Sequence, residues 1–221
     1  MTSTADSSLK KFAEQLGFAL MNEAQATLSS ELRELHRAVL TAFADSGTAP
    51  TVAWINDRAS LLGLDPALAL HDLDQADLVH TADGVVTVAY PFSGVPTRHR
   101  VQFEDGPAVW AMCAVDALGM PAMTGRNVGI ASTDPHSDEA IEISFRDGTW
   151  SWDPRSTVVL LAGTTGCCTA ADAACRYVDF FAGPANARAH LEAHPELAGE
   201  IYDQASAVER GNVVFGPLLG R

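Results

Sequence analysis

The spacing of apolar residues changes character partway along the chain, and this change limits the possible folds more than any other feature. Over roughly the first eighty residues the spacing is helical. Leu9, Phe12, Leu16 and Leu20 recur every three or four positions between lysine and glutamate, the mark of a helix with one apolar face. A second helix is expected after Ser29-Ser30, with Leu32, Leu35, Val39 and Phe43 on its buried side and Gly47 at its end. A third runs from about Val52 to Leu62 and stops at Gly63. A fourth opens at Asp65-Pro66, a carboxylate cap followed by proline at the first helical position, and carries Leu68, Leu70, Leu73 and Leu78. Asp83-Gly84 then turns the chain into Val85–Tyr90, a β-branched extended stretch. Helices followed by a β element are the plan of a winged helix. Pro91, Gly94 and Pro96 punctuate the chain next, so the boundary is expected there, between an N-terminal helical, winged-helix-like domain (1–95) and a second domain (96–221).

The second half mixes strands and helices, which makes the expected fold class α+β. His99–Phe103 reads as a strand and Val109–Leu118 as a short buried helix. Ile141, Ile143 and Phe145 alternate with polar residues, and Asp147-Gly148 turns them into Thr149–Trp152, a hairpin. Thr157–Ala162, apolar from Val158 on, is expected as a central strand. A loop of small residues, Gly163–Ala174, leads to Cys175 and an apolar stretch ending at Phe180-Phe181. Helices are expected from Pro184 onward, with a loop at Gly211.

Charge removes several function classes. The chain carries 28 acidic against 14 basic residues, a net charge of −14, which repels phosphate backbones and anionic lipid. The segment 50–80 has Arg58 as its one arginine, no lysine and a series of aspartates. A winged helix of that composition reads as a scaffold and not as a DNA reader. Apolar runs such as Val158–Gly163 are far too short to span a bilayer. Met1 to Lys11 lacks the basic start and apolar stretch of a secretion signal, so a cytoplasmic location is expected, with neither nucleic acid nor membrane as a partner.

In a reducing compartment the four cysteines, Cys113, Cys167, Cys168 and Cys175, point to thiol chemistry or a soft metal rather than to disulfides. Cys113 and Asp116 are three residues apart in Ala108–Arg126, AVWAMCAVDALGMPAMTGR. On a helix that spacing puts thiol and carboxyl on one face, a nucleophile beside its proton acceptor. Two negative charges repel, so the stable resting form shares one proton across the pair. Cys175 brought next to them would complete a two-sulfur grip suited to a soft d10 cation. Zinc, which prefers four ligands, finds no CxxC pair. Spacing alone leaves simple burial of these cysteines equally open.

The stretch WAMCAVDALGMPAMTGR (110–126) and the run CRYVDFFA (Cys175 to Ala182), in that order and at that separation, resemble the two signature motifs of the alkylmercury lyase family. The trailing Phe215-Gly-Pro-Leu and the winged-helix-like start agree, so the likeness extends from about Leu32 to Leu219. The resemblance implies a catalytic domain of the alkylmercury lyase type. In it Cys113 and Cys175 are the mercury-binding catalytic cysteines and Asp116 the catalytic carboxylate, itself a possible mercury ligand. It implies protonolysis of an organomercurial to a hydrocarbon and protein-bound Hg(II), with no cofactor. Cytosolic small thiols would carry the metal away, and a mercuric reductase would receive it. Departures are Met112, where the family often has an aromatic residue that Trp110 is placed to replace, and Asp134 or its neighbours where some members have another cysteine. The vicinal Cys167-Cys168 pair is extra, either further mercury ligands or plain loop residues. Competing readings are a same-fold enzyme for another organometal or a carbon–heteroatom bond, and a non-enzymatic thiol metal sensor.

Other features have plain readings. His190 and His194 are four apart without a third ligand, as on a solvated helix face. Trp150 and Trp152 share one strand face, as core or pocket lining. Asp172 and Asp179 flank Cys175, Asp179 as a solvated strand-end carboxylate, and Asp72, Asp74 and Asp77 form an exposed helix surface. The N-terminal unit is expected to shield the reactive pocket.

Overall fold

The computed structural model describes residues 4–16, 19–164 and 169–220. The N-terminal part holds α1 (Thr4–Leu16), α2 (Met21–Thr27), α3 (Ser30–Ser46), α4 (Val52–Leu61) and α5 (Pro66–Gln75). The caps behave as their chemistry requires. Ser29 accepts from Leu32 N, Asp65 accepts from Ala67 N and Leu68 N, and Gly47 ends α3 in the left-handed region at φ 76°. One expected helix is two: Leu20 has extended backbone and caps α2 instead of continuing α1.

Strands β1 (Val79–Ala82), β2 (Val85–Ala89) and β3 (Phe92–Ser93) follow, then β4 (His99–Phe103) and β5 (Ala108–Ala111). After α6 (Ala114–Thr124) come β6 (Val128–Thr133), β7 (Ala140–Arg146) and β8 (Thr149–Asp153). These strands form one antiparallel sheet in the order β1-β2-β3-β5-β4-β6-β7-β8. The sheet is continuous across residue 95 through the pairing of β3 with β5. A smaller antiparallel sheet, β10-β9-β11, contains β9 (Val158–Gly163), β10 (Val178–Phe181) and β11 (Ala198–Tyr202). The short α7 (Ala170–Ala173) and a 3-10 turn (Cys175–Tyr177) join β9 to β10, and α8 (Pro184–Ala193) and α9 (Gln204–Phe215) complete the chain. The molecule is mixed α+β, its hairpin β7–β8 and central β9 lying as the periodicity predicts.

Three expectations fail for identifiable reasons. Val109–Leu118 is not one helix: its start pairs in the sheet, Val101 with Val109 and His99 with Ala111, and the helix begins only at Ala114. Sheet pairing overrides the local helical pattern. The segment after Pro184 is not all helical, because β11 pairs with β9. Its exposed face carries no alternation to betray it, and a Cβ on Gly199 would sit 2.6 Å from Ala162 Cβ. Gly211 is not in a loop. It lies within α9 where that helix crosses α6, and a Cβ there would meet Gly119 N at 2.7 Å and Val115 O at 2.9 Å. The facing Gly119 is equally tight, with a built Cβ 2.7 Å from Gly211 O. Glycine on both sides lets the two backbones touch.

The C-terminal turn after α9 ties back to the first helices. Gln25 Nε2 and Arg37 Nε both donate to Leu218 O, at 3.0 and 3.1 Å. The main apolar core includes Leu9, Leu35, Phe43, Phe92, Leu118, Phe180 and Phe215, and a smaller cluster of Leu160, Ala162, Phe181 and Ala187 lies between the small sheet and α8.

Candidate active site

Helix α6 starts at the end of a strand, and the site is built at that junction. Cys113 is the N-cap, with extended φ −152°, and Asp116 sits in the first turn. The two are therefore related as cap and third residue, not as two positions inside a helix. A cap side chain and the third residue's side chain meet in the same way in a capping box. Here Cys113 Sγ donates to Asp116 Oδ2 at 2.5 Å. Close contact of α6 with α9 at Gly119 and Gly211 fixes the helix from behind. Pro121 lies inside the helix, and the left-handed Gly125 ends it, its N–H donating to Pro121 O.

The third group arrives from the other sheet. Cys175 opens the 3-10 turn before β10, and its Sγ lies 3.8 Å from the same Asp116 Oδ2. The ligand atoms of Cys113, Asp116 and Cys175 all lie within 4.8 Å of one another, and they are the one such group found among the described residues. Cys113 and Asp116 are buried and Cys175 is partly buried. Cys167 and Cys168 lie outside the described residues.

Burial governs the proton balance. It pushes the Asp116 carboxyl up to about 7, against hydrogen bonds from Cys113, its own backbone N–H and Cys175 that pull it down. The positive end of α6 favours a carboxylate, but desolvation wins. Burial also drives the Cys113 thiol well above its usual range, helped by contact with Cys175 and by the nearby Asp116 charge. For Cys175 the hydrogen bond with Cys113 favours the thiolate, but burial and the charges of Asp116 and Asp77 leave it raised. The three groups thus hold their protons more tightly than in water. Asp116 Oδ1 is buried with no hydrogen-bond partner among the described residues.

The side chains face an apolar chamber of about 60 Å³. Leu9 and Phe12 of α1, together with Leu20 and Met21, form part of its wall, and Val214 and Phe215 of α9 form another. The N-terminal helices therefore cover the pocket, as the sequence leads one to expect.

Two residues to which the sequence gives no special role hold the segment bearing Cys175. Asp77 has a left-handed φ of 53° and is no exposed helix residue. Its Oδ2 accepts from Ala170 N at 2.7 Å, and its Oδ1 meets Tyr90 Oη at 3.3 Å and His80 Nε2 at 2.6 Å. Tyr90, fully buried, accepts from Ala171 N at 2.7 Å and also lines the chamber. His80 is held above its usual pKa by Asp77, against burial, with Asp74 adding to the effect. The signal was present in the sequence as an aspartate just past a helix end, where aspartate tolerates the left-handed conformation. Its partners ninety residues away were not legible.

Other candidates fall elsewhere. Trp110 packs under Arg100, 4.9 Å from ring centre to guanidinium carbon, and does not line the chamber. Asp134 is a structural anchor, accepting from Ala182 N and Asn186 Nδ2 at 2.8 Å each. Asp179 is not solvated: Arg98 Nε and His99 Nε2 lie 3.3 and 3.2 Å from its Oδ1. Asp172 is exposed and pairs with Arg176 at 3.7 Å. His190 packs against Phe181 with its ring tilted, and His194 lies beside both His190 and Glu196. Trp150 and Trp152 pack together, Trp152 against Phe180, as core. Among the described residues no helix is long and apolar enough to cross a membrane.

Comparison with known proteins identifies the scaffold. The fold superposes on a crystal structure of the mercury-bound form of MerB2 with a TM-score of 0.76, covering 97% of this chain and all of that one at 24% identity. Curated relatives include an alkylmercury lyase from Staphylococcus epidermidis, 34% identical over 110 residues, or 49% of this chain and 50% of the relative. The chain thus spans about half the length of that relative. An alkylmercury lyase from Streptomyces lividans is 24% identical over 210 residues, 87% of this chain and 96% of the relative. The family model described as alkylmercury lyase matches residues 92–216, more than half of the chain and all of the Cys113–Asp116–Cys175 group, so the protein belongs to the alkylmercury lyase family.

Proposed function

We propose that this protein is an organomercurial lyase that cleaves carbon–mercury bonds by protonolysis. The observation that carries the proposal is the convergence of two thiols on one oxygen of a buried carboxyl. The overall step is R–Hg–X with two cysteine thiols giving R–H, a bis-thiolate Hg(II) and HX. One cysteine sulfur binds mercury as X leaves with that thiol's proton. Asp116 takes the proton of the second thiol, whose sulfur then also binds. Two sulfurs on mercury push electron density onto the carbon, and Asp116 delivers its proton there as the carbon–mercury bond breaks. An acid whose pKa sits at about 7 suits both halves of this task, since it accepts from a thiol and donates to carbon. General acid assistance is worth ~10²–10⁴ in rate. Fixing the three groups beside an apolar chamber supplies much of the remainder.

In this reading no cofactor takes part. Hg(II) stays on Cys113 and Cys175 until small thiols of the cytosol remove it, and a mercuric reductase is the natural receiver. The helices α3–α5 with the β1–β2 hairpin act as a winged-helix-like scaffold, not as a nucleic-acid reader, because the unit is acidic. Cys113, Asp116 and Cys175 carry the chemistry, while Asp77 and Tyr90 are positioning residues.

The test follows hydrocarbon release from methylmercury or phenylmercury in excess thiol. Hydrocarbon from the wild type, and none from Cys113→Ala, Asp116→Ala or Cys175→Ala, supports the proposal. Mercury bound tightly with no hydrocarbon released would point instead to a sensor.

A further inference from the structure

Cys175 lines a second space. Outside the chamber a cleft of about 430 Å³ lies between Pro96–His99 and the segment around Ala171, Arg176 and Asp179. Cys175 belongs to both spaces, whereas Cys113 and Asp116 line only the inner one. Among the three groups it is thus the one reached from outside, and Cys113 is only 3% exposed.

The cleft's charges are arranged in pairs. Arg98 is 42% exposed and touches Asp179 through Nε at 3.3 Å. Arg176 and Asp172 are 66% and 58% exposed and stand 3.7 Å apart, too long for a strong bond. Two guanidinium groups and an accessible carboxylate therefore surround the outer side of one sulfur. A guanidinium is a fork for a carboxylate, and the Asp172 carboxylate suits an ammonium. With Asp172 and Asp179 the two arginines leave the cleft formally neutral, so it adds nothing to the field of a protein of net charge −14 that repels a free anion.

We propose that this cleft docks a small zwitterionic thiol, one bearing both a carboxylate and an ammonium group, and that such a thiol removes Hg(II) through Cys175. The inference rests on the reading above that Hg(II) is left on Cys113 and Cys175. In the step, a mercury–sulfur bond forms to the incoming thiol and the Cys175–mercury bond breaks. The thiol's proton passes to the Cys175 sulfur, and no atom changes oxidation state. A second thiol then exchanges with Cys113 in the same way, releasing a bis-thiolate Hg(II) and regenerating both cysteine thiols. The outer position of Cys175 sets this order.

The experiment starts from full-length protein loaded directly with one equivalent of mercuric chloride, so that no carbon–mercury cleavage is involved. Hydrocarbon release is assayed separately, and loss of that activity alone would count against the lyase reading and not against this one. Mercury transfer is followed against concentration for cysteine, cysteamine, 3-mercaptopropionate and 2-mercaptoethanol. The rate with cysteine is expected to saturate and the others to stay linear. Arg176→Gln, at an exposed position least able to disturb folding, and Arg98→Gln are expected to cut the efficiency with cysteine about 10-fold, the size of one lost charged hydrogen bond. Both should leave the 2-mercaptoethanol rate unchanged. Linear dependence for all four thiols, equal slowing of 2-mercaptoethanol in the variants, or failure to retain Hg(II) at all would each overturn the proposal.

Discussion

Replacing Gly211 with alanine probes how the α6–α9 crossing sets the site. The new Cβ would lie 2.7 Å from Gly119 N, 2.9 Å from Val115 O and 3.0 Å from Leu118 C. All three are backbone atoms, so no side chain can swing away. An ordinary contact is about 3.5 Å or more, so the helices must separate by roughly 0.5–0.8 Å. Overpacking of this kind costs ~1–3 kcal/mol, and alanine's better helix propensity returns ~1 kcal/mol. The expected net effect is a loss of up to about 2 kcal/mol in urea unfolding followed by tryptophan fluorescence. Function should suffer more than stability. Cys113 and Asp116 ride on the start of α6, while Cys175 is held by a different segment. A shift of α6 therefore changes their mutual distances, and misplacement of ~1 Å can cost ~10² in rate. A fall of about 10-fold in single-turnover hydrocarbon release is expected. A variant stabilised by ~1 kcal/mol with unchanged turnover would refute the reasoning, because it would mean the glycine served no packing purpose.

Further predictions concern protons and positioning. Asp116 has a folded pKa of about 7 against an ordinary value of 3.8. Between those values the folded protein binds more protons than the unfolded chain, so this group makes stability fall as pH rises from about 4 to 7. Asp116→Asn should remove that loss and be more stable than the wild type in urea at pH 7.5, by a few kcal/mol at most; a less stable variant there would contradict the burial argument. His36 acts in the opposite sense. Its pKa is lowered to about 3 by burial, with Arg37 adding to the effect, so its contribution is present above about 6.5 and is lost as pH falls toward 3. His36→Gln should flatten that acid limb of the unfolding profile, and an unchanged limb would exclude the assignment. Asp77→Gly keeps the left-handed backbone free of strain but removes the bonds to Ala170 N, Tyr90 and His80. It should cost about 1.5–3 kcal/mol and accelerate alkylation of Cys175, read by mass spectrometry; alkylation at the wild-type rate would show that Asp77 does not hold that segment.

The sequence revealed the parts of the molecule whose signals are local. Ser29, Asp65 and Gly47 announced helix ends because caps depend on one or two neighbouring residues. The pairing of Cys113 with Asp116 was legible from a three-residue spacing, although the local structure that produces it is a strand-to-helix junction and not a helix face. What was hidden depends on distant partners. The strand β5 is extended because β3 and β4 flank it. Gly211 looks like a loop residue until Gly119 is seen opposite. Asp77 looks like surface until Ala170 N is seen at its carboxylate, and Asp179 looks solvated until Arg98 and His99 close over it. The approach of Cys175 to Asp116, 59 residues away in sequence, came from family resemblance. No spacing rule could supply it.

The central claim is that Asp116 places a proton on the carbon that leaves mercury. The direct measurement is one turnover of phenylmercury in deuterated water, with the benzene and the protein-bound mercury both quantified. One deuterium per benzene, one benzene and one retained Hg(II) per wild-type molecule, and no benzene from Asp116→Asn are the predicted results. Benzene formed by Asp116→Asn at the wild-type rate, or mercury taken up by the wild type with no benzene at all, would contradict the account.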